Sequence, residues 1–205
     1  MKIIIRFFFL IFLSITFTSC AFIVTTIMGL HNPSHKSNSQ IDHAIVKLHI
    51  PNENTFVLDT SFENFSVEEA QYNGAASHDH LQPLQVSVYD SKGKLISFHI
   101  NCYANGLFNL NWNSEERFNY FPPKTAAPLD SSISRSKNIS MIRDYKTGLL
   151  LTDNFREYDY LFIVYWNLFM KKQSKRLIKF IEKYRTLHAD QKIKIIYVNN
   201  DNLYN

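Results

Sequence analysis

A strand–helix–strand pattern near the C-terminus is the feature that most constrains how this chain can fold. Tyr160–Trp166, "YLFIVYW", is a continuous run of β-branched and aromatic residues, typical of a central strand covered on both faces. Lys171–Ala189 follows with helical periodicity, and Lys192–Val198, "KIKIIYV", reads as a second strand. Two strands joined through a helix are expected to lie parallel in one sheet, linked by a right-handed crossover.

The predicted helix is amphipathic. Its apolar residues recur at steps of three and four, which forms a single stripe able to cover the sheet: Leu177, Ile178, Ile181, Tyr184 and Leu187. Lysines occupy the opposite side: Lys171, Lys175, Lys179 and Lys183. We expect this lysine row to face solvent, with contact to anionic lipid as the alternative.

Residues of about 158–202 resemble the βαβ portion of the thioredoxin-like superfamily. In that family the strand ends in Phe-Trp and a Cys-x-x-Cys motif opens the following helix. Here Tyr165 and Trp166 stand at the strand end, while Met170 and Gln173 occupy the positions of the two cysteines. Thiol–disulfide exchange needs a thiolate and a second sulfur, which a thioether and an amide cannot supply. The resemblance therefore implies the fold without its redox chemistry, and no catalytic residue is predicted.

The carboxyl ends of the two strands are the predicted binding site. Open α/β sheets place their ligands in the crevice beyond these strand ends. The candidate residues follow the first strand (Trp166, Asn167 and Phe169) and the second strand (Asn199, Asn200 and Asp201).

Alternating segments upstream predict β-hairpins. The segments at 44–50, "AIVKLHI", and 55–62, "TFVLDTSF", alternate apolar with polar residues around a turn at "NENT". Leu84–Tyr89 and Lys94–Cys102 flank "DSKG", a second hairpin with a glycine in the turn. The predicted fold class is α/β (or α+β), with a mixed sheet that combines N-terminal β-hairpins and a C-terminal thioredoxin-like βαβ unit.

Two further segments lie around the second hairpin. Ser66 followed by Glu69 predicts a short capped helix. After the hairpin, a Pro- and Ser-rich stretch of about 104–138 predicts a long surface excursion. This excursion is either a packed cover over the sheet or an aromatic ligand-binding face, because it holds five aromatic residues: Phe108, Trp112, Phe118, Tyr120 and Phe121.

The N-terminus has the layout of an export signal. Lys2 and Arg6 precede an apolar run that continues without charge to Leu30. "FTSC", ending at Cys20, partly matches a bacterial lipobox, in which the cysteine is lipidated; alternatively, the run is long enough to be an uncleaved transmembrane anchor. The predicted organisation is therefore an anchor or signal over 1–30, a linker over 31–40 and one domain over 41–205.

Composition limits the remaining function classes. A formal net charge of +4 over 205 residues is too small for a nucleic-acid-binding surface, and no recognition motif supports one. The histidines His78, His80 and His99, with Asp79, suggest a metal site only weakly, so no metal and no cofactor is predicted.

The sequence thus favours a membrane-anchored, extracytoplasmic binding or structural module of the cell envelope, without catalytic activity and with a possible protein partner there. Enzymes are the alternative class: an atypical thioredoxin-like oxidoreductase using Cys102, or a metal hydrolase using the histidines. An adaptor or immunity-type protein is a third possibility.

Overall fold

A computed structural model describes residues 29–72, 78–106, 109–129 and 133–204. Within these ranges the regular elements in chain order are helix α1 (Asn38–Leu48), strand β1 (Thr55–Leu58), helix α2 (Ser61–Tyr72), strands β2 (Gln85–Asp90) and β3 (Leu95–Ile100), helix α3 (Arg135–Ser140), strands β4 (Ile142–Asp144) and β5 (Tyr160–Trp166), helix α4 (Lys171–Leu187) and strand β6 (Ile193–Asn199). Short 3-10 turns cover Asn52–Asn54, Asn101–Tyr103, Ser114–Asn119 and Asp201–Tyr204.

The strands form one six-stranded mixed sheet in the order β3-β2-β5-β6-β1-β4. The three central strands, β5, β6 and β1, are parallel, and each side is closed by antiparallel pairing, with β2 on β5 and β4 on β1. Tyr160 pairs with Ile193 and Trp166 with Asn199, so β5 and β6 are in register over their full length. The predicted α/β class and the parallel strand–helix–strand unit are confirmed.

Strand β5 contributes to both hydrophobic cores. Alternate side chains of a strand point to opposite faces, and here both sets are buried. Phe162, Val164 and Trp166 join one core, whereas Leu161, Ile163 and Tyr165 join the other. This two-sided burial explains why the segment is a continuous apolar run rather than an alternating one.

Helices cover both faces of the sheet. On the first face, α4 buries Leu177, Ile178, Ile181 and Tyr184, and α1 packs beside it. Leu187, predicted to belong to the stripe of α4, is exposed. On the second face, α2 contributes Phe62 and Phe65 and α3 contributes Ile139. The order of layers is therefore helix, sheet, helix.

The first predicted hairpin is wrong. Residues 44–50 lie mostly in helix α1, and "NENT" leads through a 3-10 turn into β1 instead of joining two strands. Ser37 caps α1 and Gln40 returns the bond, a reciprocal capping box. The buried residues of α1 have helical spacing: Ile41, Ala44, Ile45 and Leu48. The capping box and the helical spacing can both be read from the sequence, but the alternation of "AIVKLHI" led to the prediction of a strand.

The segment predicted as a linker over 31–40 overlaps helix α1, which begins at Asn38. The His31 N–H donates to the Phe169 carbonyl over 2.7 Å. Leu30 packs against the first core. The Cα of Gly29, with φ of +68°, approaches α4 so closely that an added Cβ would lie 2.6 Å from the Cβ of Lys172. Residues 29–31 thus contact the folded domain.

Helix α2 is longer than predicted and starts earlier. It runs from Ser61, whereas the sequence suggested a short helix capped at Ser66. The second hairpin is confirmed as β2 and β3, and Gly93 in its turn has φ of +80°. Arg135 of α3 is buried against this turn and donates to the Asp90 carbonyl over 3.1 Å, which joins the hairpin to the second face.

The first part of the surface excursion, with Trp112 and Phe118, packs against the first face, whereas Ala127 and Ile133 belong to the second core. Trp112 and Phe118 are buried, and the Phe118 ring makes edge contacts with Phe180 and Tyr184 of α4. Tyr120, in contrast, is half exposed. Most of the described aromatic surface of the excursion is thus used as cover. Phe108 lies outside the described residues.

The predicted membrane segment falls almost entirely outside the described residues, including Cys20. In the part of the chain that the structure describes, no helix combines the length and the apolar character needed to cross a bilayer.

Asp59 joins three elements at one end of β1. Its N–H donates to the Met141 carbonyl over 2.8 Å, its carboxylate accepts from the Ser61 N–H over 3.0 Å, and it forms an ion pair with Arg143 of β4. Burial by itself raises the pKa of Asp59, but the hydrogen bonds from Arg143 and Ser61 outweigh burial and lower the pKa from 3.8 to about 2. The ionised carboxylate therefore stabilises the start of α2 and its junction with β4.

We expect Asp59→Asn to lower the free energy of unfolding by about 1 kcal/mol at neutral pH, because the charge that pairs with Arg143 is lost while the amide oxygen can still accept from the Ser61 N–H. Because the folded pKa is depressed, the stabilisation is present above the unfolded pKa and is lost as pH falls from about 4 towards 2. Urea unfolding of both proteins should therefore show a difference that shrinks on acidification. Asp190→Asn, at an exposed position, is the control. A difference that stays constant with pH would contradict this role.

Candidate functional site

The carboxyl ends of β5 and β6 are joined by a buried polar network. The Asn200 N–H donates to the Trp166 carbonyl over 3.0 Å. The Asn167 side-chain amide donates to the Asn200 side-chain oxygen (3.1 Å) and to the Pro83 carbonyl (2.9 Å), and Asn200 Nδ2 donates to that same carbonyl (3.0 Å). Both asparagines are completely buried. The two strand ends and the segment that enters β2 are thereby fixed together.

Asn167 also organises the start of helix α4. Its side-chain oxygen accepts from the Met170 N–H over 2.9 Å. The Ser174 hydroxyl donates to the Asn167 carbonyl (2.7 Å) and accepts from the Asn167 N–H (3.1 Å). One side chain and one hydroxyl thus connect the strand, the loop and the first turn of the helix.

Asp201 holds the loop between β5 and α4 from the other side. Its carboxylate accepts the N–H groups of Leu168 (2.8 Å) and Phe169 (3.3 Å) and the Asn199 side-chain amide (2.8 Å). Burial raises the pKa of Asp201, while the bonds from Asn199 and the two loop amides, together with the charge of Lys36, act in the opposite direction. The carboxylate is 1% exposed, so its function is internal to the loop.

The six predicted binding residues do converge at one edge of the sheet. Five of them are buried: Trp166, Asn167, Asn199, Asn200 and Asp201. Phe169 is partly buried, and its ring makes an edge contact with Tyr204 at a centroid distance of 5.0 Å. The polar members hydrogen-bond with one another and with the backbone. They therefore set the shape of the surface above them, and their polar groups are used mainly by these internal bonds.

The sequence interpretation omitted two members of this network, Ser174 and Pro83. Ser174 lies one turn into α4, where a small polar residue is not conspicuous. Pro83 supplies only its carbonyl oxygen and lies 84 residues before Asn167. No local pattern marks such a residue, because any residue type has a carbonyl group.

The two positions that the predicted resemblance assigns to cysteines lie just beyond this network. Met170 precedes the first residue of α4, and Gln173 lies within its first turn. Both are buried, with 8% and 0% exposure. The Leu110 N–H donates to the Gln173 side-chain oxygen over 3.3 Å, so the surface excursion covers this part of the helix.

Cys102 lies at the same edge of the sheet, just after β3. Its thiol is exposed and donates to the Gln82 side-chain oxygen over 2.9 Å; Gln82 in turn contacts His78, which lies 3.4 Å from an oxygen of Asp79. Partial burial of the sulfur and the negative charge of Asp79 raise the pKa of the Cys102 thiol from its ordinary value. The environment therefore favours the thiol over the reactive thiolate.

The histidines suggested as metal ligands do not converge. His78 is exposed, His80 is buried against the Phe98 ring, and His99 is buried beside Ser97, whose Oγ lies 2.9 Å from its Nε2. Burial lowers the pKa of His99 to about 3, assisted by the charge of Arg117. Among the residues the structure describes, no three His, Cys, Asp or Glu side chains are grouped so that they could hold a metal ion.

No family model matches the chain, and comparisons with curated proteins and with solved structures find no significant similarity.

We expect Asn167→Ala to destabilise the fold by at least about 2 kcal/mol, because it leaves the Met170 N–H and the Asn200 oxygen buried without a partner. Urea unfolding measures the loss. Asn52→Ala, at an exposed position, should change the unfolding free energy by less than about 0.5 kcal/mol. An equal effect of the two substitutions would show that the network does not stabilise the strand ends.

Proposed function

We propose that this protein is a membrane-anchored, extracytoplasmic module with a redox-inactive thioredoxin-like domain that serves in binding rather than catalysis. The observation that supports this most is the junction of β5 and α4. The strand–helix–strand unit is parallel and has the expected aromatic strand end, and Met170 and Gln173, the positions that the resemblance assigns to the two thiols, are both buried.

The arrangement of the neighbouring strands also supports the thioredoxin-like assignment. Beside the β5–α4–β6 unit lies an antiparallel hairpin, β2 and β3, with β2 paired to β5. In the thioredoxin-like fold a hairpin occupies this place but follows the βαβ unit along the chain. Here the hairpin comes first in the sequence, so the assignment requires the same neighbours in a different chain order.

The alternative of an oxidoreductase using Cys102 is less favoured. Thiol–disulfide exchange proceeds through a thiolate, and the surroundings of Cys102 raise its pKa. In addition, the sulfur donates its hydrogen to Gln82, which further stabilises the protonated form. Within the described residues Cys102 is the free cysteine, so no second described sulfur can resolve a mixed disulfide.

The site of binding in this proposal is the surface above the polar network. Phe169 remains partly exposed there, and the buried Asp201 holds the backbone of Leu168 and Phe169 in one conformation. A rigid loop presents its side chains with little loss of conformational entropy on binding. A protein component of the cell envelope is the partner class that a tethered domain of this kind would meet, including the partner of an adaptor or immunity-type protein.

The redox part of the proposal is tested on the thiol itself. We expect the full chain not to accelerate insulin reduction, and Cys102→Ser to leave the background rate unchanged. We also expect Asp79→Asn to lower the pKa of Cys102, because it removes the negative charge that raises this pKa. Alkylation of Cys102 by iodoacetamide near pH 8 should then be faster. Asp190→Asn is the matched control. Catalytic turnover that disappears in Cys102→Ser would replace this proposal with the oxidoreductase.

Membrane attachment is tested by flotation of the full chain with neutral vesicles. We expect the full chain to float and a variant lacking residues 1–28 to remain at the bottom of the gradient. Mass spectrometry of the native N-terminus then separates the two anchors, since lipidation would give a modified Cys20 as the first residue and a transmembrane anchor would leave Met1. A full chain that does not float would remove the anchored part of the proposal.

A further inference from the structure

A cleft of about 600 Å³ opens beside the loop between β5 and α4. Three separate parts of the chain line it: the segment before α1, the first two turns of α1, and the start of α4. We name it the basic cleft and define it by its polar lining residues, His31, Lys36, Ser39, Gln40, His43 and Lys171. Its volume is that of sites for small organic ligands.

The lining carries positive charge without a compensating carboxylate. Lys36 and Lys171 contribute two ammonium groups, and His31 and His43 contribute two imidazoles. Of the residues described as lining the cleft, none is acidic. Like charges held near one another repel, so an anion bound between them would be stabilised.

The carboxylates on the neighbouring elements are used elsewhere. Asp42 of α1 accepts the Tyr145 hydroxyl over 2.8 Å. Asp201 accepts the loop amides of Leu168 and Phe169 from its buried position. Neither of them lines the cleft. The charge of Lys36 does interact with that of the buried Asp201, so Asp201 offsets part of the positive charge from below the surface.

Two helices begin at this cleft. Ser39 and Gln40 belong to the first turn of α1, and Lys171 is the first residue of α4. Helix starts carry partial positive charge and are usually matched by acidic residues. The first turns of both helices lack acidic residues. The positive field of the backbone therefore adds to that of the side chains.

The floor of the cleft is fixed by the fold. Gln40 and His43 of α1 line the cleft together with Lys36, which lies just before the helix. Ile41 and Ile45 of the same helix pack into the first core. The segment carrying His31 is held by its hydrogen bond to the Phe169 carbonyl. The core and this hydrogen bond thus hold the elements that line the cleft.

From this geometry we propose that the basic cleft binds a phosphate group of a small organic ligand or a lipid headgroup. Phosphate offers several acceptor oxygens, and lysine ammonium groups are common phosphate ligands. Ser39 and Gln40 add a hydroxyl and an amide donor. The cleft is also larger than a bare ion requires, which leaves room for the organic part of the molecule.

The position of the cleft bears on the source of the phosphate. His31 directly follows the segment over 1–30 that is proposed to attach the protein to a membrane, so the cleft would lie close to lipid headgroups. The lipid source rests on the function proposed above, whereas phosphate binding itself does not depend on it.

The full chain in a non-ionic detergent is titrated with glycerol phosphate at constant ionic strength, and calorimetry measures the binding. We expect saturable binding that Lys36→Gln/Lys171→Gln weakens about tenfold or more. The matched control is Lys175→Gln/Lys179→Gln, which removes the same charge from exposed positions of α4 outside the cleft. It should change the affinity by less than about twofold.

Additional measurements keep the result interpretable. Urea unfolding should show the same midpoint for both double variants and the unchanged chain. His43→Gln, a single exposed substitution in the cleft, should weaken binding about threefold. The proposal is overturned if the unchanged chain shows no saturable binding, or if the control variant loses as much affinity as the cleft variant.

An experiment in nanodiscs distinguishes a lipid headgroup from a soluble phosphate compound as the ligand. The same titration is done with the full chain in discs of neutral phosphatidylcholine and in discs that contain phosphatidylglycerol. A lipid headgroup in the cleft would compete and weaken the apparent affinity for glycerol phosphate, whereas equal affinities assign the cleft to a soluble phosphate compound. Failure of the chain to enter discs rejects the membrane proposal and leaves the detergent titration as the test of the cleft.

Discussion

Burial of strand β5 on both faces is the constraint on which the rest of the structure depends. Its six consecutive buried residues, from Leu161 to Trp166, must be covered by helices on both faces of the sheet and by the neighbouring strands β2 and β6 at its two edges. Backbone groups at the end of such a strand cannot reach water, so they need internal partners. The network of Asn167, Asn200 and Asp201 supplies these partners and thereby sets the path of the loop into α4.

This constraint connects the fold to the two proposed activities. The loop that the network holds presents Phe169 on one side and, through Leu168 and Lys171, one wall of the basic cleft on the other. The proposed thioredoxin-like resemblance assigns two thiols to this junction, but Met170 and Gln173 occupy those positions, and the excursion covers them through Leu110. A rigid strand end can serve recognition without redox chemistry, because the geometry of the loop does not depend on sulfur.

The hairpin of β2 and β3 and the unit of β5, α4 and β6 could be predicted from the sequence because their signals are local. The apolar run of β5, the stripe of α4 and the turn at Gly93 each need only neighbouring residues to be recognised. The strand predicted over residues 44–50 failed for a physical reason. In so short a segment the same apolar residues fit both the alternating spacing of a strand and the spacing of a helix. The helix forms because Ile41 and Ile45 pack on the first core and Ser37 caps its start.

The sequence by itself determined that two parallel strands would end in the polar residues Asn167, Asn199, Asn200 and Asp201, and that no thiol pair would stand between them. Only the tertiary structure decided that these residues are buried and bonded to one another, since their partners include the distant Pro83 carbonyl. It also decided that Lys36 and His43 meet Lys171 in one cleft. Charges separated by more than a hundred residues become neighbours only through packing, which no local pattern records.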